Sequence, residues 1–110
     1  MAYIYHLIPP KEWEQALHKD SYKTESLKTE GFIHFSTKEQ VIGSATKHYP
    51  EEESLVLLAI HEKRVKKHLK WEPSRNEELF PHLYSKINME WIDTTFLLSK
   101  NGDGEWEWER

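Results

Sequence analysis

The sequence predicts a single domain of the α+β class over residues 1–110. Strand and helix patterns alternate in the first half of the chain, whereas strand patterns dominate the second half. That order is typical of α+β folds and not of doubly wound parallel sheets. A length of 110 residues matches one domain, about 100–150 residues. The aromatic content of 13% is too high for an intrinsically disordered chain.

Two elements are predicted near the N-terminus. Residues 3–7 are rich in strand-forming side chains and are followed by a Pro-Pro pair, so they indicate a short strand. A short helix is predicted over residues 10–18, because proline is tolerated in a first helical turn and the apolar side chains that follow have i, i+3, i+4 spacing. Residues 22–29 are mixed and polar, and no element is assigned to them.

A strand and a helix are predicted next. Residues 32–35 indicate a short strand introduced by a glycine. Ser36 precedes Glu39 by three residues and Thr37 precedes Gln40 by three, so either pair can form the capping box that begins a helix. The following proline ends this helix. Its apolar face is formed by Val41, Ile42, Ala45 and Tyr49.

The middle of the chain combines an apolar strand with a basic segment. Residues 55–60 are apolar throughout, which suits a strand covered on both faces. Residues 61–70 are rich in lysine, and Val65 and Leu69 at i, i+4 predict a short helix with a solvated basic side. This segment lacks the interleaved aromatic residues of a surface that stacks on nucleic-acid bases. Residues 74–78 are polar and predict a loop.

A terminal β-hairpin is predicted at the C-terminus. One strand face is predicted to be formed by Ile92, Thr94, Phe96 and Leu98. Asn101-Gly102 is typical of a two-residue type I′ turn. Trp106 and Trp108 alternate with glutamates, so both indoles lie on one face of the second strand. If the histidines are structural, the two indoles are candidates for a partner interface.

Composition excludes several classes of protein. The chain has no Cys, which excludes disulfides, thiolate metal sites and a cysteine nucleophile. The apolar run at residues 55–60 is far shorter than the roughly 20 residues of a membrane helix, and the N-terminus does not resemble a secretory signal. A net charge of −4 gives no general attraction to nucleic acid. A cytoplasmic protein without membrane contact is therefore predicted.

His34 and His6 are the first candidates for a functional site. His34 lies two residues before the predicted cap at Ser36, and a helix N-terminus can hold a phosphate or a carboxylate. The alternative is a strand histidine bound to a backbone carbonyl. His6 shares a strand face with Ile4 and Ile8, where a histidine is usually a hydrogen-bonded core residue. The functional interpretation requires the two side chains to converge within about 10 Å.

His82 and Glu72 are the next candidates. His82 follows Pro81 between apolar residues, which indicates a rigid approach to a defined place. The alternative is a turn into a strand with His82 and Tyr84 on its solvated face. Glu72 is either a carboxylate buried by its neighbour Trp71 or the last residue before a loop. A zinc site formed by the histidines is disfavoured because no His-Glu-x-x-His pattern is present, and no metal is predicted.

A family resemblance is carried by a set of motifs in order along the chain. The chain resembles the uncharacterised bacterial domain-of-unknown-function family 952 over nearly its whole length. The motifs are Ile4-Tyr5-His6, Tyr22 with Ser26-Leu27, Glu30 to His34 with Ser36-Thr37, residues 55–60, Trp71-Glu72 and Phe80 to Tyr84.

That family is similar, more distantly, to the ADP-ribosyltransferase-like fold. The resemblance implies a split, mostly antiparallel sheet with two or three short helices and a cleft for NAD. It implies that His6 contacts a ribose and that His34 packs near the nicotinamide end. A glutamate that stabilises an oxocarbenium-like transition state has no unambiguous counterpart. Arg64, Arg75 and Arg110 are the arginines available for a pyrophosphate.

The leading hypothesis is a histidine-lined cleft that binds NAD, ADP-ribose or a phosphorylated nucleotide, with ADP-ribosyl-type transfer as the implied reaction. The alternative is a small-molecule or protein-binding module without turnover. NAD is the one cofactor that the resemblance suggests. The predicted catalytic residues are His6, His34 and His82, and the predicted ligand-binding residues are Tyr22, Ser26, Ser36, Thr37, Trp71 and Tyr84.

Overall fold

The computed structural model describes residues 2–109 and shows an antiparallel α+β architecture. The main sheet contains β1 (Tyr3–Ile8), β4 (Ser54–His61), β8 (Ile92–Lys100) and β9 (Trp106–Glu109), in the order β1-β4-β8-β9. Its neighbouring strands all pair antiparallel. The predicted α+β class is confirmed.

Shorter strands form the rest of the β structure. A second sheet has the order β3-β6-β5, where β3 is Ile33–His34, β5 is Leu69–Pro73 and β6 is Leu79–Leu83. The short strand β2 (Ser21–Tyr22) pairs with β7 (Ile87–Asn88). The β structure is therefore divided among separate antiparallel sheets, as expected for a split sheet.

One backbone bridge joins the two larger sheets. The Tyr5 amide donates to the Ser36 carbonyl at 2.9 Å, and the Ser36 amide donates to the Tyr5 carbonyl at 2.8 Å. This bridge holds the end of β3 against the middle of β1. The side chain of His6 is thereby placed beside the backbone of His34.

The α-helices lie in the first two thirds of the chain: α1 (Pro10–Ala16), α2 (Glu25–Thr29), α3 (Val41–His48) and α4 (Glu62–Val65). Short 3₁₀ turns are formed by Lys66–His68, Arg75–Glu77 and Met89–Trp91. α1 begins at a proline as predicted but ends before residue 18. In the segment left unassigned, the Thr24 hydroxyl caps α2 by accepting from the Leu27 amide at 3.3 Å. Gly31, with φ of +91°, follows α2 in the left-handed conformation that commonly ends helices.

α3 begins later than its sequence signals suggest. Thr37 and Gln40 form half of a capping box, because Gln40 Oε1 accepts from the Thr37 amide at 3.0 Å. These residues lie in a turn, and the helix begins at Val41. The Ser36 hydroxyl is instead 2.7 Å from the Ser44 hydroxyl in the interior, so Ser36 is not the cap.

The central strand β4 confirms the prediction of burial on both faces. It pairs with β1 on one side and β8 on the other, and its apolar residues are buried except for the half-buried Val56. One buried cluster lies between the sheets and comprises Ile4, Ile33, Phe35, Ile60, Val65, Leu83 and Ile87. The other packs beneath α3 and comprises Leu7, Val41, Ala45, Leu55, Leu57, Leu98 and Trp106.

The C-terminal hairpin is confirmed, but its predicted turn type is wrong. The loop between β8 and β9 spans residues 101–105, and the positive φ, +79°, is at Gly104. The side-chain oxygen of Asn101 accepts from the amides of Asp103 and Glu105 at 2.9 and 3.0 Å, which stabilises the longer loop.

The two indoles are not a free surface for a partner. Trp106 is 7% exposed and belongs to the core beneath α3. Trp108 packs edge-on against Tyr5 and Phe96, with ring centroids 5.1 and 5.5 Å apart. The interface predicted at these residues is therefore wrong, because the hairpin folds its aromatic face onto the domain.

Candidate functional site

A cavity of about 1000 Å³ lies where the bridge between the sheets meets α1 and α3. Its walls come from β1, α1, the segment from β2 into α2, the end of β3, one side of α3 and the loop before β6. This volume is at the upper end of the range for small-molecule sites. The predicted site residues that line it are His6, Tyr22, Ser26, His34 and Ser36.

His6 is a buried histidine with one engaged nitrogen. Its Nδ1 is 2.8 Å from the His34 carbonyl oxygen. A carbonyl only accepts hydrogen bonds, so Nδ1 carries the proton in the neutral ring and Nε2 is left as an acceptor. His6 is 6% exposed, and its Nε2 is buried without a hydrogen-bond partner among the described residues.

Burial keeps the His6 ring neutral. It lowers the pKa of His6 to about 4, against the opposing effect of the hydrogen bond to His34. The ring lies between Phe35 and Tyr22, with centroid distances of 5.3 and 5.9 Å. His6 is therefore a fixed, uncharged imidazole whose buried Nε2 is a hydrogen-bond acceptor without a partner among the described residues.

His34 lies near the C-terminus of α3, whereas the predicted anion site requires a helix N-terminus. Its ring centroid is 5.8 Å from that of His48, the last residue of α3. A helix C-terminus attracts cations and not anions, so the expected contribution of the helix N-terminus is absent at this residue. His34 Nε2 instead approaches Glu30 Oε2 at 3.1 Å. Both side chains face the cavity.

His82 belongs to a cluster beside Phe32 that adjoins His34, its register partner on β3, with the two imidazole centroids 5.5 Å apart. His82 Nδ1 and the Tyr84 hydroxyl both donate to Glu72 Oε1, at 2.8 and 2.6 Å. These bonds lower the pKa of Glu72, and the same contact raises the pKa of Tyr84. The Phe32 ring stacks on the His82 ring at 4.0 Å.

The predicted inclusion of His82 in the cavity wall is wrong, because Phe32 covers its ring and its Nδ1 is bound to Glu72. The predicted proximity to His34 is present, since the two rings pack edge-on. His82 is 4% exposed, so the solvated alternative is also wrong. Tyr84 belongs to the same cluster and does not line the cavity. Trp71 is 41% exposed and lies on the other face of β5 from Glu72, since neighbouring strand residues point in opposite directions.

Most of the hydroxyl groups predicted to bind a ligand form hydrogen bonds to other groups of the protein. Ser26 Oγ donates to the Phe32 carbonyl at 2.8 Å, and Ser36 Oγ is paired with Ser44. Thr37 lies outside the cavity wall. The Tyr22 hydroxyl donates to Glu12 at 3.0 Å, and burial is the main reason why its pKa is raised.

The charged wall of the cavity was missed by the sequence analysis. Its cations are Lys19, Lys23, Lys47, Arg75 and Lys86, and its carboxylates are Glu12, Glu25 and Glu30. Five cations against three carboxylates make this wall positive in a chain whose net charge is −4. These cations lie far apart along the chain, so no local sequence motif identifies them.

Arg64 does not line this wall. Arg64, on α4, forms an ion pair with Asp93 of β8, with its Nη2 3.6 Å from Oδ1. Arg110 lies outside the described residues. Within residues 2–109, no group of three histidine, aspartate or glutamate side chains is arranged to hold a metal ion.

Helices of the described chain are all too short or too polar to cross a membrane.

Comparisons with known proteins give a family and a structural relative. The family described as "Protein of unknown function (DUF952)" matches residues 7–95. The X-ray structure of protein CC0527 from Caulobacter crescentus is 31% identical, with a TM-score of 0.86, and the match covers 96% of this chain and 93% of that chain. The solution NMR structure of CC0527 is 32% identical, with a TM-score of 0.82, covering 96% and 91%. No curated protein matches the chain significantly.

Proposed function

The chain belongs to the DUF952 family of proteins of unknown function, and from its cavity we propose that it binds a small phosphorylated nucleotide. The observation that carries this proposal is His6, a buried neutral histidine on the cavity wall whose Nε2 has no partner among the described residues. An unpaired buried polar atom is destabilising unless something binds it. A ligand hydroxyl that donates to Nε2 satisfies this requirement.

The rest of the wall fits the other parts of a nucleotide. Its excess of cations suits phosphate groups, and Tyr22 and Tyr49 offer aromatic surface for a base. The resemblance to the ADP-ribosyltransferase-like fold supports the same ligand class, because there a histidine on the first core strand contacts a ribose. His6 lies on β1.

Replacement of His6 by Asn tests the proposal. The Asn amide retains a donor for the His34 carbonyl but removes the Nε2 acceptor. We expect AMP, ADP-ribose or NAD to raise the melting temperature of the wild type, since a ligand at a hundred times its Kd stabilises by about 2.7 kcal/mol. His6→Asn should lose most of this rise.

The control for this variant is His68→Asn, because His68 is exposed and lies outside the cavity wall. It should retain the full ligand-induced rise. An equal rise in His6→Asn would contradict a role for His6, and no rise in the wild type with any of the three ligands would remove the nucleotide proposal.

A second candidate function is ADP-ribosyl transfer, favoured by Glu30. This carboxylate is held by His34 on the cavity wall and supplies the negative charge that stabilises an oxocarbenium-like transition state. In such a transfer from NAD, the bond from C1′ to nicotinamide breaks and its electron pair leaves with nicotinamide. A bond from C1′ to an acceptor oxygen forms, and the acceptor's proton passes to Glu30.

Release of nicotinamide from NAD tests this reaction. The wild type should release nicotinamide faster than buffer alone, and Glu30→Gln should lose most of the excess rate because the amide carries no charge. Glu25→Gln, which changes another carboxylate on the same wall, should retain it. Binding of NAD without release in the wild type would identify a binding module without turnover.

A further inference from the structure

We propose that Arg75 and Lys47 form the subsite for a phosphoryl group of the ligand, and that Gly43 makes room for the Arg75 guanidinium. This inference rests on the proposed nucleotide function and assigns one part of the ligand to one part of the wall. It names residues that no motif in the sequence singles out as a pair.

The Arg75 guanidinium is held in the cavity wall without a carboxylate partner. Its Nη1 is 3.5 Å from Ser44 Oγ, and its central carbon lies 4.8 Å from the centre of the Phe80 ring. Arg75 is half-buried and forms no ion pair with the described residues. A partly desolvated arginine with unused donors is suited to bind an oxyanion through two parallel hydrogen bonds.

Gly43 explains how the guanidinium fits against α3. A Cβ atom at this position would lie 3.0 Å from Arg75 Nη2. Glycine within a helix is destabilising relative to alanine, so its presence here needs a reason. The close approach of the guanidinium supplies one.

The loop that carries Arg75 adopts an unfavourable backbone conformation. Asn76 and Glu77, neither of them glycine, have φ values of 58° and 60°. Consecutive left-handed residues are costly and occur where surrounding structure imposes them. The Glu77 amide donates to the Ser74 carbonyl at 2.8 Å and closes the loop. The loop thereby directs the residue before the two strained positions, Arg75, into the cavity.

Lys47 supplies a second basic side chain on the same wall. It follows Gly43 by four residues, so the two lie on one side of α3, and Lys47 lines the cavity together with Arg75. The charges of both residues also act on His48, whose pKa is lowered mainly by burial. Two basic side chains and a serine hydroxyl suit a phosphoryl group, which carries more negative charge than a carboxylate.

Calorimetric titrations with AMP and with adenosine test the subsite, because the two probes differ by the phosphoryl group alone. We expect Arg75→Gln to weaken AMP binding roughly 10- to 100-fold, the usual effect of removing a charged hydrogen bond. Adenosine binding should stay within about two-fold of the wild type. Arg64→Gln makes the same chemical change outside the cavity and should alter neither affinity.

Gly43→Ala provides a variant that is expected to fold. The added methyl group displaces only the flexible end of Arg75, while alanine favours the helix. The melting temperature without ligand should therefore be equal to or higher than that of the wild type, and AMP should still bind several-fold more weakly. Unchanged AMP binding in both Arg75→Gln and Gly43→Ala would overturn the subsite.

The outcomes separate this inference from the proposed function. Wild-type protein that binds adenosine and AMP equally well would retain a nucleoside site and exclude a phosphoryl subsite at Arg75. An equal loss of adenosine and AMP binding in Arg75→Gln would show that Arg75 only supports the wall. Wild-type protein that binds neither probe would overturn both the proposed function and the subsite.

Discussion

Acidification through the window from pH 6.5 to 4 is expected to lower the free energy of unfolding by about 3 kcal/mol through His6. The pKa of His6 is about 4 in the folded protein, where burial disfavours the charged ring, against an ordinary value of 6.5. Within this window the unfolded chain binds a proton that the folded chain does not. The contribution of His6 to the free energy of unfolding is therefore fully present above pH 6.5 and is lost as the pH falls toward 4. Each pH unit within this window lowers the free energy of unfolding by about 1.4 kcal/mol.

Urea denaturation at several pH values in this window measures the effect. His6→Asn removes the titrating group, so the free energy of unfolding should depend less steeply on pH in the variant than in the wild type. His48 adds a loss in the same direction because its pKa is also lowered, and the lowered pKa of Glu72 acts at the acidic end. His68→Asn serves as the control, and an unchanged slope in His6→Asn would show that His6 is not held neutral by burial.

Truncation of Phe35 to Ala is expected to lower the free energy of unfolding by roughly 3–5 kcal/mol, the usual range for loss of a buried aromatic ring. Phe35 is 2% exposed and packs in the cluster between the two larger sheets. Its ring also lies 5.3 Å from the His6 ring. Its loss therefore leaves a void beside the candidate site as well as in the core.

The matched variants for this prediction are Phe35→Leu and Leu97→Ala. Phe35→Leu retains most of the apolar volume and should cost clearly less than Phe35→Ala. Leu97 is 43% exposed, so its truncation should have a much smaller effect. Chemical denaturation compares the three variants, and a similar small loss in all of them would show that Phe35 does not support the junction of the sheets.

The cavity was only partly predictable from local patterns. His34 was identified because it precedes a predicted helix N-terminus, and His6 because two histidines that meet on neighbouring strands are an unusual pair in a small core. His82 was identified from its place after Pro81, and its ring does pack against His34, but it does not line the cavity because it binds Glu72 and Phe32 covers it. Which polar residues share a cavity depends on strand register and on the bulk of neighbouring rings.

The positive charge of the cavity wall could not be predicted from local sequence patterns at all. Lys19, Lys47 and Arg75 are ordinary surface residues in the sequence, and each is far from the others along the chain. They face one cavity because α1, α3 and the loop before β6 meet there. A strained loop and a glycine on another element position Arg75, and neither is recognisable before the fold is known.

The sequence by itself determined the elements that depend on local chemistry. Alternation of aromatic and charged residues specified the terminal hairpin, an uninterrupted apolar run specified the central strand, and prolines marked the ends of β1 and α3. The tertiary structure decided how these elements meet, through the bridge between Tyr5 and Ser36. That bridge buries His6 beside the His34 carbonyl and leaves its Nε2 without a partner among the described residues, because contacts between distant segments, and not local spacing, set the surroundings of a side chain.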